Sequence, residues 1–130
     1  MRVRSLLAGA VAVVALLIGV TGPANAADKD GRCETGELCL YWSITSSSFI
    51  DFFFGDPDHR NNTWTCCPGR SGWGTKVSDN AVTAWNRDTN YAVVASLLAC
   101  EGAFDVIVPG ETTVLNDAVR NNNWSNCWEF

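Results

Sequence analysis

Residues 77–84 and 119–126 carry one pattern at an offset of 42 positions. A chain that builds a supersecondary unit twice has few folds open to it. Val77 aligns with Val119, Asp79 with Asn121, Asn80 with Asn122, Val82 with Trp124 and Thr83 with Ser125. Each copy is a polar pair, two variable residues and a hydroxyl. Each leads into a segment bearing an aromatic, Trp85 in the first and Trp128 in the second.

The repeat lies in the part of the chain that follows a secretory leader. Arg2 and Arg4 form a basic start, residues 6–20 an apolar run, and Ala24-Asn25-Ala26 a small-residue cleavage site. The apolar run is shorter than the roughly 20 residues a membrane span needs. Residues 1–26 are therefore read as a signal peptide and 27–130 as one domain. Removing Arg2 and Arg4 leaves seven basic against fourteen acidic residues, a net charge of −7 for 27–130. An acidic surface repels phosphate backbones and anionic lipid, so neither nucleic acid nor membrane is expected as a partner. The location expected is extracellular.

Cys33, Cys39, Cys66, Cys67, Cys100 and Cys127 all follow the leader. An even cysteine count in a short secreted chain predicts three disulfides. Cys33 and Cys39 flank a short Gly-containing loop and can close on each other. Consecutive extended residues point their side chains apart, so Cys66 and Cys67 are not expected to bond together. If Cys33 takes Cys39, each of them then takes one of Cys100 and Cys127, and the spacing leaves both assignments open.

Short strands are predicted over 38–42, 49–54, 63–66, 81–85, 91–96, 104–108, 112–115 and 123–128, separated by Gly, Pro, Asn and Asp turns. Residues 27–32, charged and small, read as a mobile arm. No segment holds a helical period. The pattern predicts an all-β sandwich of two Greek-key units.

Three features resemble a known group. They are Cys33-Glu34-Thr35-Gly36-Glu37-Leu38-Cys39-Leu40-Tyr41, the segment Phe104 to Pro109-Gly110, and the two polar-pair-plus-hydroxyl motifs. Together they resemble the βγ-crystallin fold, and within it the small secreted actinobacterial peptidase-inhibitor family typified by a metalloproteinase inhibitor. The resemblance implies a disulfide-stabilised βγ-crystallin-like sandwich that acts by binding.

It also implies two oxygen-rich turns resembling a calcium motif, Asp79, Asn80 and Thr83 in the first and Asn121, Asn122 and Ser125 in the second. The motif's final serine is replaced by Ala84 and Asn126. Hard cations take oxygen ligands, and fewer charged ligands make looser sites. Asp79 is the one carboxylate among these positions, so calcium is expected to bind weakly at most and no cofactor is required.

Catalysis has little to draw on. His59, the one histidine, sits in a turn-rich segment and is expected to be exposed, and oxidised cysteines offer no thiolate. An activity other than catalysis is expected. Of the six tryptophans, Trp42, Trp85 and Trp128 are expected in the core, whereas Trp73, between two glycines, suits a contact surface. The loop Cys66, Cys67, Pro68, Gly69, Arg70, Ser71 and Gly72 is the leading binding candidate. Disulfides and a proline would stiffen it, and a loop held in its bound shape loses little entropy on association. Arg70-Ser71 suits a trypsin-like pocket, while Gly69 and Gly72 loosen that end. The expected partner is a secreted or cell-surface protein, with a protease first. The alternatives are a calcium-binding or structural module, and an adaptor or toxin-like component.

Overall fold

The computed structural model describes residues 26–129; the expected leader over 1–26 lies outside them apart from Ala26. Seven strands form: β1 (Leu38–Tyr41), β2 (Phe49–Phe52), β3 (Thr83–Asn86), β4 (Tyr91–Ala95), β5 (Phe104–Ile107), β6 (Thr112–Val114) and β7 (Ser125–Glu129). One antiparallel sheet has the order β2-β1-β3-β6 and the other β5-β4-β7. Strand β6 leaves its own unit and pairs with β3, so each sheet is completed by the opposite half of the chain. The reciprocal crossing is a single bridge, Asp56 to Asn126. Pro57 follows at once and has no N–H to extend a ladder, so this crossing stays one residue long.

The predicted strand over 63–66 does not form. Its ends make isolated bridges, Thr63 to Lys76 and Cys66 to Phe49, and the segment between them belongs to a loop. Between the sheets lie Leu38, Leu40, Ile50, Phe52, Val77, Ala84, Val94, Ile107 and Leu115. Each large aliphatic or aromatic side chain buried there contributes about 1.5–3 kcal/mol. Trp64 joins this core at 2 % exposure, while Trp42 and Trp128 are half-buried against it. Trp85 departs from expectation. It stands on the outer face of β3, half-buried, with the Arg87 guanidinium 4.7 Å from its ring centre.

The arm over 27–32 is pinned rather than mobile. Asp51 lies opposite Cys39 across β1 and β2, on the face turned away from the core. Its carboxylate accepts the backbone N–H groups of Asp30 (2.8 Å) and Gly31 (2.9 Å) and the Thr65 hydroxyl (3.1 Å). Burial raises the Asp51 carboxyl despite these bonds. Lys29 adds an ion pair to Asp56 at 2.6 Å. Beside the arm, Glu37 is buried with one oxygen accepting from the Glu34 N–H and the other unpartnered among the described residues. Burial pushes its carboxyl up to about 7.

The three disulfides are Cys33–Cys39, Cys66–Cys67 and Cys100–Cys127. The expectation that Cys66 and Cys67 each reach a distant partner is overturned. Alternation of side chains applies within a strand, and only Cys66 touches the sheet, through its bridge to Phe49, before the chain turns at Cys67. Cys127 on β7 instead meets Cys100 with 6.2 Å between Cα atoms.

The sequence repeat is an approximate two-fold in the backbone. Asp79 and Asn121 both take left-handed conformations, φ 63° and 56°. Asp79 N–H donates to the Asn123 carbonyl (3.1 Å), and Asn121 N–H donates to the Ala81 carbonyl (2.9 Å). These are the same bond made in both directions. The Asn80 and Asn122 amides reach back to the Lys76 and Ala118 carbonyls (2.9 and 3.0 Å). Thr83 and Ser125 hydroxyls donate to the Ser43 and Leu97 carbonyls (both 2.6 Å).

Candidate functional site

The excursion over 63–76 is a loop with its ends joined and its own packing, the architecture of an Ω-loop. The Thr63–Lys76 bridge closes its base, together with Val77 N–H donating to the Asn62 carbonyl (3.0 Å). Trp64 fills the inside, and its indole N–H donates to the Thr75 hydroxyl at 3.1 Å. Successive turns then carry the chain round: Arg70 N–H to the Cys67 carbonyl, Trp73 N–H to Arg70, and Thr75 N–H to Gly72, each at 3.1 Å. Ser48 beside β2 holds the outer limb, its N–H on the Ser71 carbonyl at 3.1 Å.

Gly72 tightens this loop, against the expectation that it loosens it. Its φ is +90°, and a Cβ there would lie 2.2 Å from the Trp42 ring. The glycine is what lets the loop close onto Trp42. Gly69, at φ +81°, has open space around it. Pro68, Gly69, Arg70, Ser71 and Trp73 are exposed together, Trp73 at 43 %. The fold thus brings five of the eight nominated residues onto one outward surface and leaves Cys66, Cys67 and Gly72 half-buried below it. The stiffening comes from backbone turns, Trp64 and Trp42; no disulfide joins the loop to a distant part of the fold.

Sequence reasoning passed over Lys76, also exposed at the loop's base. Residues 62–78 contain Arg70 and Lys76 and no acidic residue, inside a domain of strong negative charge. That local reversal of sign was the available signal.

The two oxygen-rich turns sit side by side across the approximate two-fold. In both, the hydroxyl is turned inward onto a backbone carbonyl, and the polar pair lies on the turn itself. Asp79 accepts the Trp124 indole N–H at 2.8 Å. No three acidic, imidazole or thiol side chains among the described residues are grouped to hold a metal ion.

His59 is fully buried, contrary to expectation. Asp58 caps a short 3-10 turn, His59–Asn61, by accepting the Arg60 N–H. Arg60 also holds the Asp58 carboxyl at about 2. That cap rotates the His59 ring inward, stacked 5.2 Å from Phe52. Its Nε2 meets Asn126 Oδ1 at 2.7 Å, and its Nδ1 meets Asn123 Nδ2 at 3.0 Å. An amide oxygen on one side and an amide nitrogen on the other fix the neutral tautomer with the proton on Nε2. Burial lowers the ring's affinity for a second proton.

Neither a protein-family model nor a curated protein matches this chain. A solved structure described as "Evolution of the eye lens beta-gamma-crystallin domain fold" superposes with a TM-score of 0.57 at 13 % identity. The match covers 76 % of this chain and 90 % of that one. The likeness is one of fold: the two halves of this chain form a βγ-crystallin-like sandwich.

Proposed function

We propose that the protein is a secreted binding module whose contact surface is the loop over 66–76, with a protease as its partner. The observation that carries this reading is the combination of order and exposure in one loop. Hydrogen-bonded turns and a buried tryptophan fix its shape, and yet Arg70, Ser71 and Trp73 stand outward. A surface held in its bound form before contact gives up little conformational entropy on association. Tryptophan and arginine are the side chains that concentrate binding energy at protein contacts. The positive loop on a negative body favours an acidic recess in the partner, and Arg70 suits a specificity pocket of that kind.

The test is inhibition of a panel of secreted serine and metalloproteases by the purified domain, followed by Arg70→Ala and Trp73→Ala. A loss of 2 kcal/mol or more in affinity, about thirtyfold, is expected for one of them. No inhibition across the panel would reject a protease as partner. Unchanged inhibition by both variants and by Pro68→Ala would reject the loop.

A second reading is a weak calcium module, favoured by the paired left-handed turns at Asp79 and Asn121. Asp79, Asn80, Asn121 and Asn122 would hold the ion. With one carboxylate in the set, calorimetry should give a dissociation constant no tighter than about 10⁻⁴ M.

A further inference from the structure

The approximate two-fold assigns a counterpart to each member of the buried polar cluster. Asn123 corresponds to Ala81 and Asn126 to Ala84 at the repeat's own offset. His59 corresponds to Leu115, because their N–H groups donate to the matching carbonyls of Trp124 (2.7 Å) and Val82 (2.9 Å). One end of the core is thus Leu, Ala, Ala, and the other is His, Asn, Asn, all six side chains buried.

Asn123 does more than face the imidazole. Its Oδ1 accepts the Ala81 N–H at 2.9 Å, and its Nδ2 donates both to His59 Nδ1 and to the Val77 carbonyl at 3.2 Å. This one side chain rivets the turn of the first repeat, 77–81, to that of the second, and it does so in only one orientation. We propose that His59 and Asn123 form an acid-sensitive latch between the two repeats, which opens when a solvent proton occupies His59 Nδ1.

The incoming proton takes the lone pair that accepts from Asn123, leaving N–H facing N–H. Rotating the Asn123 amide would present Oδ1 to the imidazolium, but it would withdraw that oxygen from Ala81 N–H and set oxygen against the Val77 carbonyl. Either way the rivet is lost. The surroundings offset the new charge only in part, and burial outweighs them. Asp56, from the crossing segment, is paired with Lys29 of the arm at 2.6 Å and also accepts from Asp58 N–H and the Asn62 amide. Asp58 is paired with Arg60 at 2.9 Å. Strand β2 presents Phe52, β7 presents the neutral Asn126, and the Asp79 carboxylate is held outside by Trp124.

The chain's single histidine makes the test direct. Ring nitrogen NMR on the intact domain should show the Nε2–H tautomer at neutral pH. On acidification, ring protonation and disturbance of the Ala81 amide should occur in one transition with a midpoint below 6.5, the ordinary histidine value. Protection of the Ala81 amide from exchange should fall by about tenfold or more across it, beyond the intrinsic pH effect. The triple variant His59→Leu, Asn123→Ala, Asn126→Ala copies the other end of the core and should abolish the transition. A ring that titrates near 6.5 with the Ala81 amide unmoved would overturn the latch. So would an undiminished transition in a folded triple variant. Should the variant fail to fold, the wild-type NMR titration decides alone.

Discussion

The two ends of the sandwich have matching backbones and opposite interiors. At one end Leu115, Ala81 and Ala84 meet as plain hydrocarbon; at the other His59, Asn123 and Asn126 meet through hydrogen bonds. Hydrocarbon packs in many ways at similar cost, whereas a polar cluster is satisfied in few. The polar end carries a penalty, since Asn126 Nδ2 has no partner among the described residues. What it adds is identity. Two similar Greek keys packed about an approximate two-fold could exchange roles if both interiors were alike. A cluster that bonds in only one register tells the halves apart, a use of buried polar groups best attested where register must be fixed.

The largest expected effect comes from placing one interior inside the other. Leu115→His puts an imidazole among Ala81, Ala84 and Val119, where no amide waits for it. Lost packing and an unpaired polar ring together should cost about 3–5 kcal/mol in urea unfolding. His59→Leu, the reverse exchange, keeps the volume apolar and leaves the amides of Asn123 and Asn126 to find partners. It should cost about 1–3 kcal/mol. Equal losses from the two exchanges would show that the ends are energetically alike and undo the comparison.

The apolar end was legible in the sequence and the polar end was not. Strands alternate or run apolar, so the stretches around Leu40, Ile50 and Val94 were found, as was the 42-residue repeat. His59 lies between Asp58 and Arg60 in turn chemistry, and its burial depends on Asn123 and Asn126, more than sixty residues away. Nothing local encodes that. The exposed loop is legible from Pro, Gly and Cys, but the disulfides expected to stiffen it do not tie it to the rest of the fold. Trp64, read as part of a short strand, is the loop's core, and Gly72 is its closest packing point. The cysteine pairing failed for the same reason: alternation was applied to residues that are not both in a strand.

Two glycines of the same loop, one packed and one open, give the next effect. Gly72→Ala drives a methyl group into Trp42 at a left-handed position, and a loss of about 2 kcal/mol is expected from the clash and the backbone together. The change should also alter the Trp42 environment in fluorescence. Gly69→Ala, with the same sign of φ and open space around it, should cost only the backbone part, about 1 kcal/mol. Indistinguishable losses would mean that the loop does not rest on Trp42.

Glu37 and His59 oppose each other in pH. The folded chain holds a proton on Glu37 up to about 7, while the unfolded carboxyl releases it near 4.5. Stability linked to Glu37 is therefore full below 4.5 and drains as pH rises through 7. His59 runs the other way: the unfolded ring takes a proton below 6.5 and the buried ring resists it, so stability falls as pH drops below that value. Glu37→Gln should raise stability on the order of 1 kcal/mol at pH 8 and do little at pH 4. A gain that is the same at both pH values would remove ionisation as the cause.

The smallest effect separates the two turns that the repeat makes most alike. Asp79 and Asn121 share the left-handed conformation, where a side chain costs roughly 1 kcal/mol relative to glycine. Glycine removes that strain but gives the unfolded chain more freedom, and the two changes nearly cancel. Asn121 is exposed and its side chain makes no hydrogen bond among the described residues, so Asn121→Gly should lie within about ±0.5 kcal/mol of the native protein. Asp79 accepts the Trp124 indole N–H, and Arg60 lies 5.2 Å from the same ring. Asp79→Gly should therefore cost about 0.5–1 kcal/mol more than its partner, with the Trp124 indole resonance shifting in NMR. Matching stabilities and an unmoved indole would mean that the Asp79–Trp124 bond contributes nothing and that the two turns differ in sequence alone.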